Sequence, residues 1–204
     1  MPNQAEELSS WYLRLNGFFL VGNFVIHKET DGEAKDAKHS SDVDLLAVRF
    51  PNSEEQIGEK LLECDDEVLF KFFDKNKMLA LVVEVKSSEE PETIKLFSSQ
   101  YKMEYALRRI GLLSSDQIKM LVNNLEIWRT SDEILGEQGF QVGKLLIHNW
   151  KRKTTKGEEA FKVELGHARD FILRRFRENR VAKWADRVFF TSTLMQEYIA
   201  QTRP

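Results

Sequence analysis

Short apolar runs alternate with amphipathic segments along this chain, and the pattern predicts an α/β fold. The longest run, 79–85, is aliphatic except at one position and is typical of a strand buried on both faces of its sheet. Runs at 18–26, 45–48 and 143–150 predict three further strands. Residues 4–16 place apolar side chains at positions i, i+3, i+4 and i+7, which indicates a helix with one face against the sheet.

Further helices and a last strand complete the predicted elements. The helices lie at about 92–110, 115–125, 164–179 and 194–200. Residues 188–190 predict the last strand. This alternation predicts a central mixed β-sheet flanked by helices, with helical additions. A chain of 204 residues fits a single domain, with a core over about 5–110 and a basic α/β extension over about 140–204.

Two connecting segments are long. Residues 27–41 contain no apolar residue larger than alanine and predict a polar loop of functional or disordered character. Residues 51–78 form an insertion, in which Ser53 is the expected N-cap of a short helix. Residues 67–73 fit a strand and a helix equally well.

The buried strand at 79–85 ends in charged residues. Because residues i and i+2 of a strand point to the same face, Glu84 and Lys86 project side by side. A buried carboxylate or ammonium is costly unless it is paired, hydrated or bound to a metal. Taken alone, the pair is explained most simply as a surface ion pair worth roughly 0–1 kcal/mol.

A second acid, Asp44, is expected at the same place. It lies where the apolar run of 45–48 begins, and pairing of the two strands would bring it to Glu84. Two carboxylates, a backbone carbonyl such as that of Val85, and several waters suit a hard divalent cation such as Mg²⁺. Asp42 is a rival ligand because it lies two residues away on the same strand face.

An Asp at a strand start, followed by Glu-x-Lys at the end of the next core strand, resembles the PD-(D/E)xK nuclease superfamily. The segments Asp-Leu-Leu-Ala at 44–47 and Leu-Val-Val-Glu-Val-Lys at 81–86 are most similar to its Holliday-junction-resolvase and RecB-like branches. Those branches also place a Glu on a first helix, eleven residues before a Gly-aromatic pair. Here Glu6 precedes Gly17-Phe18 by eleven. The resemblance covers roughly residues 5–105.

The resemblance implies hydrolysis of DNA phosphodiester bonds with Mg²⁺ or Mn²⁺. In such a site Asp44 and Glu84 bind the metal, and the carbonyl of Val85 completes its shell. Lys86 acts on the attacking water or on the phosphate, and Glu6 assists. DNA is then the partner, and a homodimer is compatible with this function because many members of the superfamily cut both strands as dimers.

Two features depart from the family pattern. The compact resolvases have a much shorter connection than residues 51–78, which leaves the substrate preference open. RecB-like nucleases carry a Gln-Tyr motif on the helix after Glu-x-Lys. Gln100 with Tyr101 or Tyr105 resembles this motif at an unusual spacing. For the two tyrosines we favour packing on a buried helix face.

Glu6 has two interpretations of equal weight. One is the assisting role that the resemblance implies. The other is electrostatic, because acids in the first turn of a helix interact favourably with the helix dipole. For the neighbouring Glu7 we favour the dipole interpretation.

Charge is distributed unevenly along the chain. The formal net charge is −3, yet residues 144–187 contain thirteen basic and six acidic residues. We expect this region to hold DNA phosphates beside an acidic metal site, although Arg-rich helix surfaces are also commonly just solvated. The residues expected to contact phosphate are Lys151, Arg152, Lys153, Arg174 and Arg175. Trp150 is expected in the core rather than stacked on a base.

Composition excludes several protein classes. A single cysteine, Cys64, excludes an internal disulfide. The chain has no zinc-binding Cys/His pattern, no Walker loop and no dinucleotide-binding glycine motif. Its polar, acidic start does not resemble a signal peptide, and no apolar run is long enough to cross a bilayer. We therefore expect a cytoplasmic protein without membrane contact.

Two other function classes stay open. A catalytically inactive nuclease fold could bind nucleic acid, with Glu84 and Lys86 serving as a buried ion pair. A protein-interaction module could use the 27–41 loop and the basic region to contact protein partners. Stabilisation by Mg²⁺ separates a nuclease from an inactive fold, and salt-sensitive DNA binding counts against the interaction module.

Overall fold

The computed structural model describes residues 3–26, 41–57, 59–62, 65–152, 154–178 and 192–201. The strands in these residues are β1 (Phe19–Ile26), β2 (Ser41–Arg49), β3 (Glu55–Ile57), β4 (Lys60–Leu62), β5 (Met78–Lys86), β6 (Phe140–His148) and β7 (Phe161–Glu164). The helices are α1 (Gln4–Leu15), α2 (Glu67–Phe70), α3 (Gln100–Ile110), α4 (Ser115–Val122), α5 (Asp132–Leu135), α6 (Leu165–Glu178) and α7 (Thr193–Gln201).

A five-stranded mixed sheet in the order β1-β2-β5-β6-β7 forms the centre of the fold. The β1/β2 and β2/β5 pairs are antiparallel, whereas β5, β6 and β7 run parallel to one another. This confirms the predicted α/β class with a central mixed sheet. It also brings the carboxyl ends of the three parallel strands to one edge, together with the start of β2.

Helices cover both faces of this sheet, and each face has its own apolar core. On the first face, Val83 of β5 packs in a cluster that includes residues of α1, α6 and α7, among them Phe171. On the second face, the neighbouring Val82 belongs to a cluster that includes residues of α3 and α4, among them Leu121. Burial on both faces explains why the β5 run is aliphatic at almost every position.

A buried hydrogen-bond network joins α1, α2 and α6. Tyr12 Oη donates to Asp66 Oδ2 at 2.5 Å, and His167 Nε2 lies 2.7 Å from the same oxygen. Asp66 is 2% exposed and caps α2 by accepting from Val68 N. Asn16, the C-cap of α1, accepts from Asp66 N at 2.8 Å. The network fixes α1 against α6 on the first face of the sheet.

A glycine in β6 makes room for a ring from the insertion. A Cβ atom built on Gly143 would lie 2.9 Å from Cζ of Phe73 and 3.2 Å from Cδ2 of Leu81. The close approach requires glycine at this position, because any larger side chain would overlap the Phe73 ring. Phe73 is itself 3% exposed.

The insertion differs from its prediction. Ser53 does not cap a helix; its Oγ donates to Phe50 O at 2.8 Å, and residues beyond it form the β3–β4 hairpin. The ambiguous segment 67–73 contains the short helix α2. The expected helix at 92–110 begins only at Gln100, where Ser99 accepts from Lys102 N as N-cap.

The prediction of core packing for two tyrosines is wrong. Tyr101 and Tyr105 are 38% and 37% exposed, and their rings contact each other with centroids 4.7 Å apart. The buried face of α3 is formed by smaller and more flexible side chains, including Met103 and Leu107. Trp150, by contrast, is 6% exposed and belongs to the core as expected.

The second half of the chain follows its prediction with shifted boundaries. β6 begins at Phe140, and the sequence pattern did not predict β7, whose last residue is Glu164. α6 therefore starts one residue later than expected. The strand predicted at 188–190 lies outside the described residues, as does the segment 27–40. In the part of the chain that the structure describes, no helix has the length and hydropathy needed to cross a membrane.

Candidate active site

A side-chain hydrogen bond continues the contact between β2 and β5 beyond the end of their backbone pairing. The backbone register of the two strands extends from Arg49 and Leu79 to Leu45 and Val83. Beyond it, Val85 N donates to Asp44 Oδ2 at 2.7 Å. The Asp44 carboxylate is therefore held against the residue that separates Glu84 from Lys86. The structure thus brings together two sequence motifs that lie about forty positions apart.

Glu84 and Lys86 form an ion pair at the carboxyl end of β5. Lys86 Nζ lies 2.6 Å from Glu84 Oε1, and the two side chains are 21% and 10% exposed. Burial lowers the pKa of Lys86, but the hydrogen bond and the charge of Glu84 outweigh it, and the pKa is raised above its usual value. Lys86 is therefore a cation at neutral pH.

Asp44 has a strongly raised pKa. Burial and the charge of Glu84 raise its pKa from 3.8 to about 7, although the Val85 N–H and Lys86 act in the opposite direction. The charge of Glu6 raises this pKa further. The carboxylates therefore repel one another, and a bound cation would relieve that repulsion.

Glu6 is held in place as part of a helix cap. It is the third residue of α1 and completes a capping box, with Asn3 N donating to Oε2 at 3.3 Å and Asn3 Nδ2 donating to Oε1 at 2.5 Å. This contact gives the electrostatic interpretation of Glu6 a structural basis. Its effect on the pKa of Asp44 also places it within electrostatic range of the strand ends.

The donor set fits a cation that takes few protein ligands. In the described ranges, no cluster of three or more His, Cys, Asp or Glu side chains forms a metal site. Mg²⁺ usually keeps several waters and binds one or two carboxylates, which matches Asp44 and Glu84. Burial and the charge of Glu84 both raise the pKa of Asp44, and a bound cation would oppose both effects. Ligation by the Val85 carbonyl stays a prediction.

Two of the expected phosphate contacts already have acidic partners. Lys151 Nζ lies 2.6 Å from Glu89 Oε1, and Arg152 Nη1 lies 3.5 Å from Glu90 Oε2. All four side chains are more than half exposed, so these pairs are weak and can exchange for phosphate. Lys153 lies outside the described residues.

Arg174 and Arg175, the other two residues expected to contact phosphate, differ in their exposure to solvent. Arg174 is exposed, and its guanidinium lies 5.5 Å from the ring centroid of Phe171. Arg175 is 4% exposed and donates from Nη2 to Glu55 Oε2 at 2.5 Å. The expectation that Arg175 binds phosphate is therefore wrong, because its guanidinium joins α6 to the β3–β4 hairpin.

A groove of about 510 Å³ adjoins the candidate site. Two of its lining residues are sequence neighbours of site residues, namely Ala5 beside Glu6 and Ser87 beside Lys86. The start of α6 and the exposed side chain of Arg169 form another part of its wall.

Sequence reasoning did not single out His148. This residue closes a second apolar run at the end of β6 and pairs in register with Lys86 at the end of β5. The sequence feature that could have indicated it is a repeated pattern, in which an aliphatic strand ends in a polar side chain.

The side chain of Asp42, the alternative metal ligand considered from the sequence, lies outside the described residues.

Comparisons with protein-family models, curated proteins and solved structures found no match to this chain. Membership of the PD-(D/E)xK superfamily therefore stays a prediction. Its support is the arrangement of residues at the strand ends.

Proposed function

We propose that this protein is a PD-(D/E)xK-type nuclease that hydrolyses DNA phosphodiester bonds with Mg²⁺ or Mn²⁺. The observation that carries the proposal is the hydrogen bond from Val85 N to Asp44, which joins the Asp motif to the Glu-x-Lys motif. The displaced pKa of Asp44 supports it, because strongly perturbed acids gather at functional sites.

In the proposed site, Asp44 and Glu84 would hold the divalent cation, and the Val85 carbonyl would be a further ligand. When bound, the cation supplies Lewis-acid polarisation of the phosphate and a lower pKa for a coordinated water. Lys86, a cation at neutral pH, stabilises the charge that develops on the phosphate oxygens. Glu6 adds negative charge near Asp44 and so favours cation binding.

DNA is the proposed partner. The exposed cations Lys151, Arg152 and Arg174 supply phosphate contacts whose strength falls with added salt. The groove beside the strand ends offers a path for the backbone. A homodimer stays a prediction.

The experiment that tests the proposal is cleavage of single-stranded, duplex and branched DNA with Mg²⁺ or Mn²⁺. We expect the wild type to cut, and Lys86→Ala and Asp44→Asn each to lose at least about 100-fold in rate, because the first removes the cation beside the phosphate and the second removes a metal ligand. Asp116→Asn and Lys119→Ala are matched controls on the exposed surface of α4 and should keep full activity. A folded wild type that cuts none of these substrates would contradict the proposal.

A second candidate is a catalytically inactive fold that binds nucleic acid. The specific observation in its favour is the 2.6 Å ion pair between Lys86 and Glu84, which satisfies both charges without a metal. Thermal unfolding separates the two candidates. A nuclease gains stability from Mg²⁺ in the wild type and loses that gain in Asp44→Asn, whereas the inactive fold is unaffected by Mg²⁺ in both.

A further inference from the structure

His148 stands beside Lys86 at the carboxyl edge of the sheet. The two residues are partners in the parallel β5/β6 register, as Leu146 and Glu84 are two positions earlier. Residues that pair in register point to the same face of a sheet. The imidazole of His148 therefore lies on the same side as the Glu84–Lys86 ion pair, one strand further from Asp44.

The ring of His148 has a fixed orientation and tautomer. Trp150 N donates to Nδ1 at 3.2 Å, and the two rings stack with centroids 4.9 Å apart. Because Nδ1 accepts a hydrogen bond, the neutral ring carries its proton on Nε2. Burial lowers the pKa of His148, and the charge of Lys162 adds to this, while that of Glu164 opposes it. The neutral form is thus the resting form.

The Nε2–H group is a directed donor that the fold does not use. Within the described part of the chain, the only hydrogen bond of the His148 ring is the one at Nδ1. The residue keeps 8% exposure at the edge of the sheet. In the described residues, His148 Nε2 is not one of the fully buried polar atoms that lack a partner, so the atom reaches the surface and can donate to a group from outside the protein.

We propose that His148 contacts the substrate, with Nε2–H donating to a non-bridging oxygen of the phosphate that lies beside Lys86. The proposal rests on the proposed nuclease function and adds a residue to its phosphate site. No proton is transferred in this contact. A rigid, neutral donor next to a flexible cation holds the phosphate in one orientation, which Lys86 alone does not achieve.

Two substitutions separate this role from a structural one. In His148→Asn the amide oxygen takes the place of Nδ1 and keeps the bond from Trp150 N, but the donor at Nε2 is lost. In His148→Gln the amide nitrogen takes the place of Nε2, but the acceptor for Trp150 N is lost. On an oligonucleotide substrate with Mg²⁺, we expect the Asn variant to lose roughly 10- to 100-fold in kcat/KM, and the Gln variant to stay within about threefold of wild type.

The opposite ranking, with the Asn variant active and the Gln variant impaired, would show a structural role and overturn the proposal. Equal activity of both variants and wild type would also overturn it, while leaving the nuclease function intact. Circular dichroism and thermal unfolding of the three proteins check that a loss of rate is not a loss of fold.

A second readout does not depend on cleavage. The chain has four histidines, so the ring signals of His148 can be assigned by their absence from the Asn variant. With ¹⁵N-labelled histidine and a chelator present, titration with the same oligonucleotide should shift the Nε2 resonance of His148 saturably. If the wild type cuts no DNA, the nuclease function fails, and this titration alone decides the contact. An unshifted resonance would then overturn it.

Discussion

At the scale of single residues, Asp44 has a pKa that is raised into the physiological range. The shift arises from burial and from Glu84, and both causes exist only in the folded chain. The sequence could predict that Asp44 and Glu84 meet, because each stands at the end of an apolar run. It could not predict the hydrogen bond from Val85 N, which depends on how far the β2/β5 pairing extends.

In the metal-free protein, Asp44 should make stability fall as the pH rises. Its folded pKa of about 7 exceeds the ordinary value of 3.8, so the folded state holds more protons between these values. The free energy of unfolding of the wild type, relative to Asp44→Asn, should therefore decline from pH 4 to about pH 7 and then level off. Urea unfolding in a chelator measures this difference. A difference that is independent of pH would contradict it.

Lys144 should have the opposite effect at higher pH, where it should make the stability of the fold rise with pH. Its side chain is fully buried, Nζ donates to Leu125 O at 2.5 Å and lies 4.3 Å from the Trp128 ring centroid, and burial lowers its pKa to about 8. The unfolded state then holds more protons between about pH 8 and 10.5, so stability rises with pH there. Relative to Lys144→Met, the gain should reach at most roughly 3 kcal/mol, measured by urea unfolding at pH 7.5 and 10.

At the scale of elements, a hydrogen-bond network centred on Asp66 joins α1 to α6. Asp66 accepts from Tyr12 and contacts His167 while capping α2. Helical spacing predicts that the Tyr12 face is buried, and the structure places Tyr12 at 0% exposure. The partner lies 54 positions away in the insertion, where the sequence pattern carries no signal for it.

Tyr12→Phe should destabilise the protein by roughly 1–3 kcal/mol, because it removes a donor from a buried carboxylate. The matched control is Tyr105→Phe, because the Tyr105 side chain is 37% exposed and its hydroxyl makes no hydrogen bond within the described residues. We expect the control to change stability by less than about 0.5 kcal/mol. Equal effects in thermal unfolding would show that the Asp66 network does not stabilise the fold.

Gly143→Ala should destabilise the junction of β6 with the insertion. The new methyl group would overlap the Phe73 ring, and overpacking of this kind costs roughly 1–3 kcal/mol. Gly139→Ala is the control, because nothing lies within 4 Å of a Cβ at that position. Urea unfolding of both variants checks the prediction, and a neutral Gly143→Ala would show that Phe73 can move aside.

The hydrophobic pattern predicted β5, α1 and α6, because these elements are long. It did not predict the short elements. The β3–β4 hairpin has three residues in each strand, which is too few for a pattern to emerge. β7 has four, and its lysine and glutamate alternate with only two apolar positions. The start of α3 was misplaced because residues 92–99 continue the apolar spacing without the hydrogen bonds of a helix.

At the scale of the whole molecule, position in the fold decides what each charge does. Arg174 and Arg175 are neighbours in sequence, but one faces solvent and the other is buried against Glu55. Residues 144–187 contain an excess of basic side chains that is visible in the sequence. Composition could not tell which cations the fold uses internally, since that depends on the facing hairpin.

Arg174→Ala should therefore affect DNA binding, whereas Arg175→Ala should affect stability. Arg174→Ala should weaken DNA binding and reduce the slope of log K against log salt by about 1, with little change in stability. Arg175→Ala should cost roughly 1–3 kcal/mol of stability, because Glu55 loses its buried partner. Fluorescence anisotropy at several salt concentrations and thermal unfolding make the comparison. A lower salt slope for Arg175→Ala in the folded state would contradict it.

The hydrogen bond between Val85 N and Asp44 has a consequence for spectroscopy. An amide proton bonded to a titrating carboxylate changes its chemical shift and its rate of exchange with deuterium when that carboxylate gains a proton or a cation. The Val85 amide lies beyond the end of the backbone pairing of β2 with β5 and donates to a side chain instead. It should therefore act as a reporter in ¹H–¹⁵N spectra, responding to pH near 7 and to added Mg²⁺, while the amides at the start of β5, such as those of Leu79 and Ala80, stay unchanged.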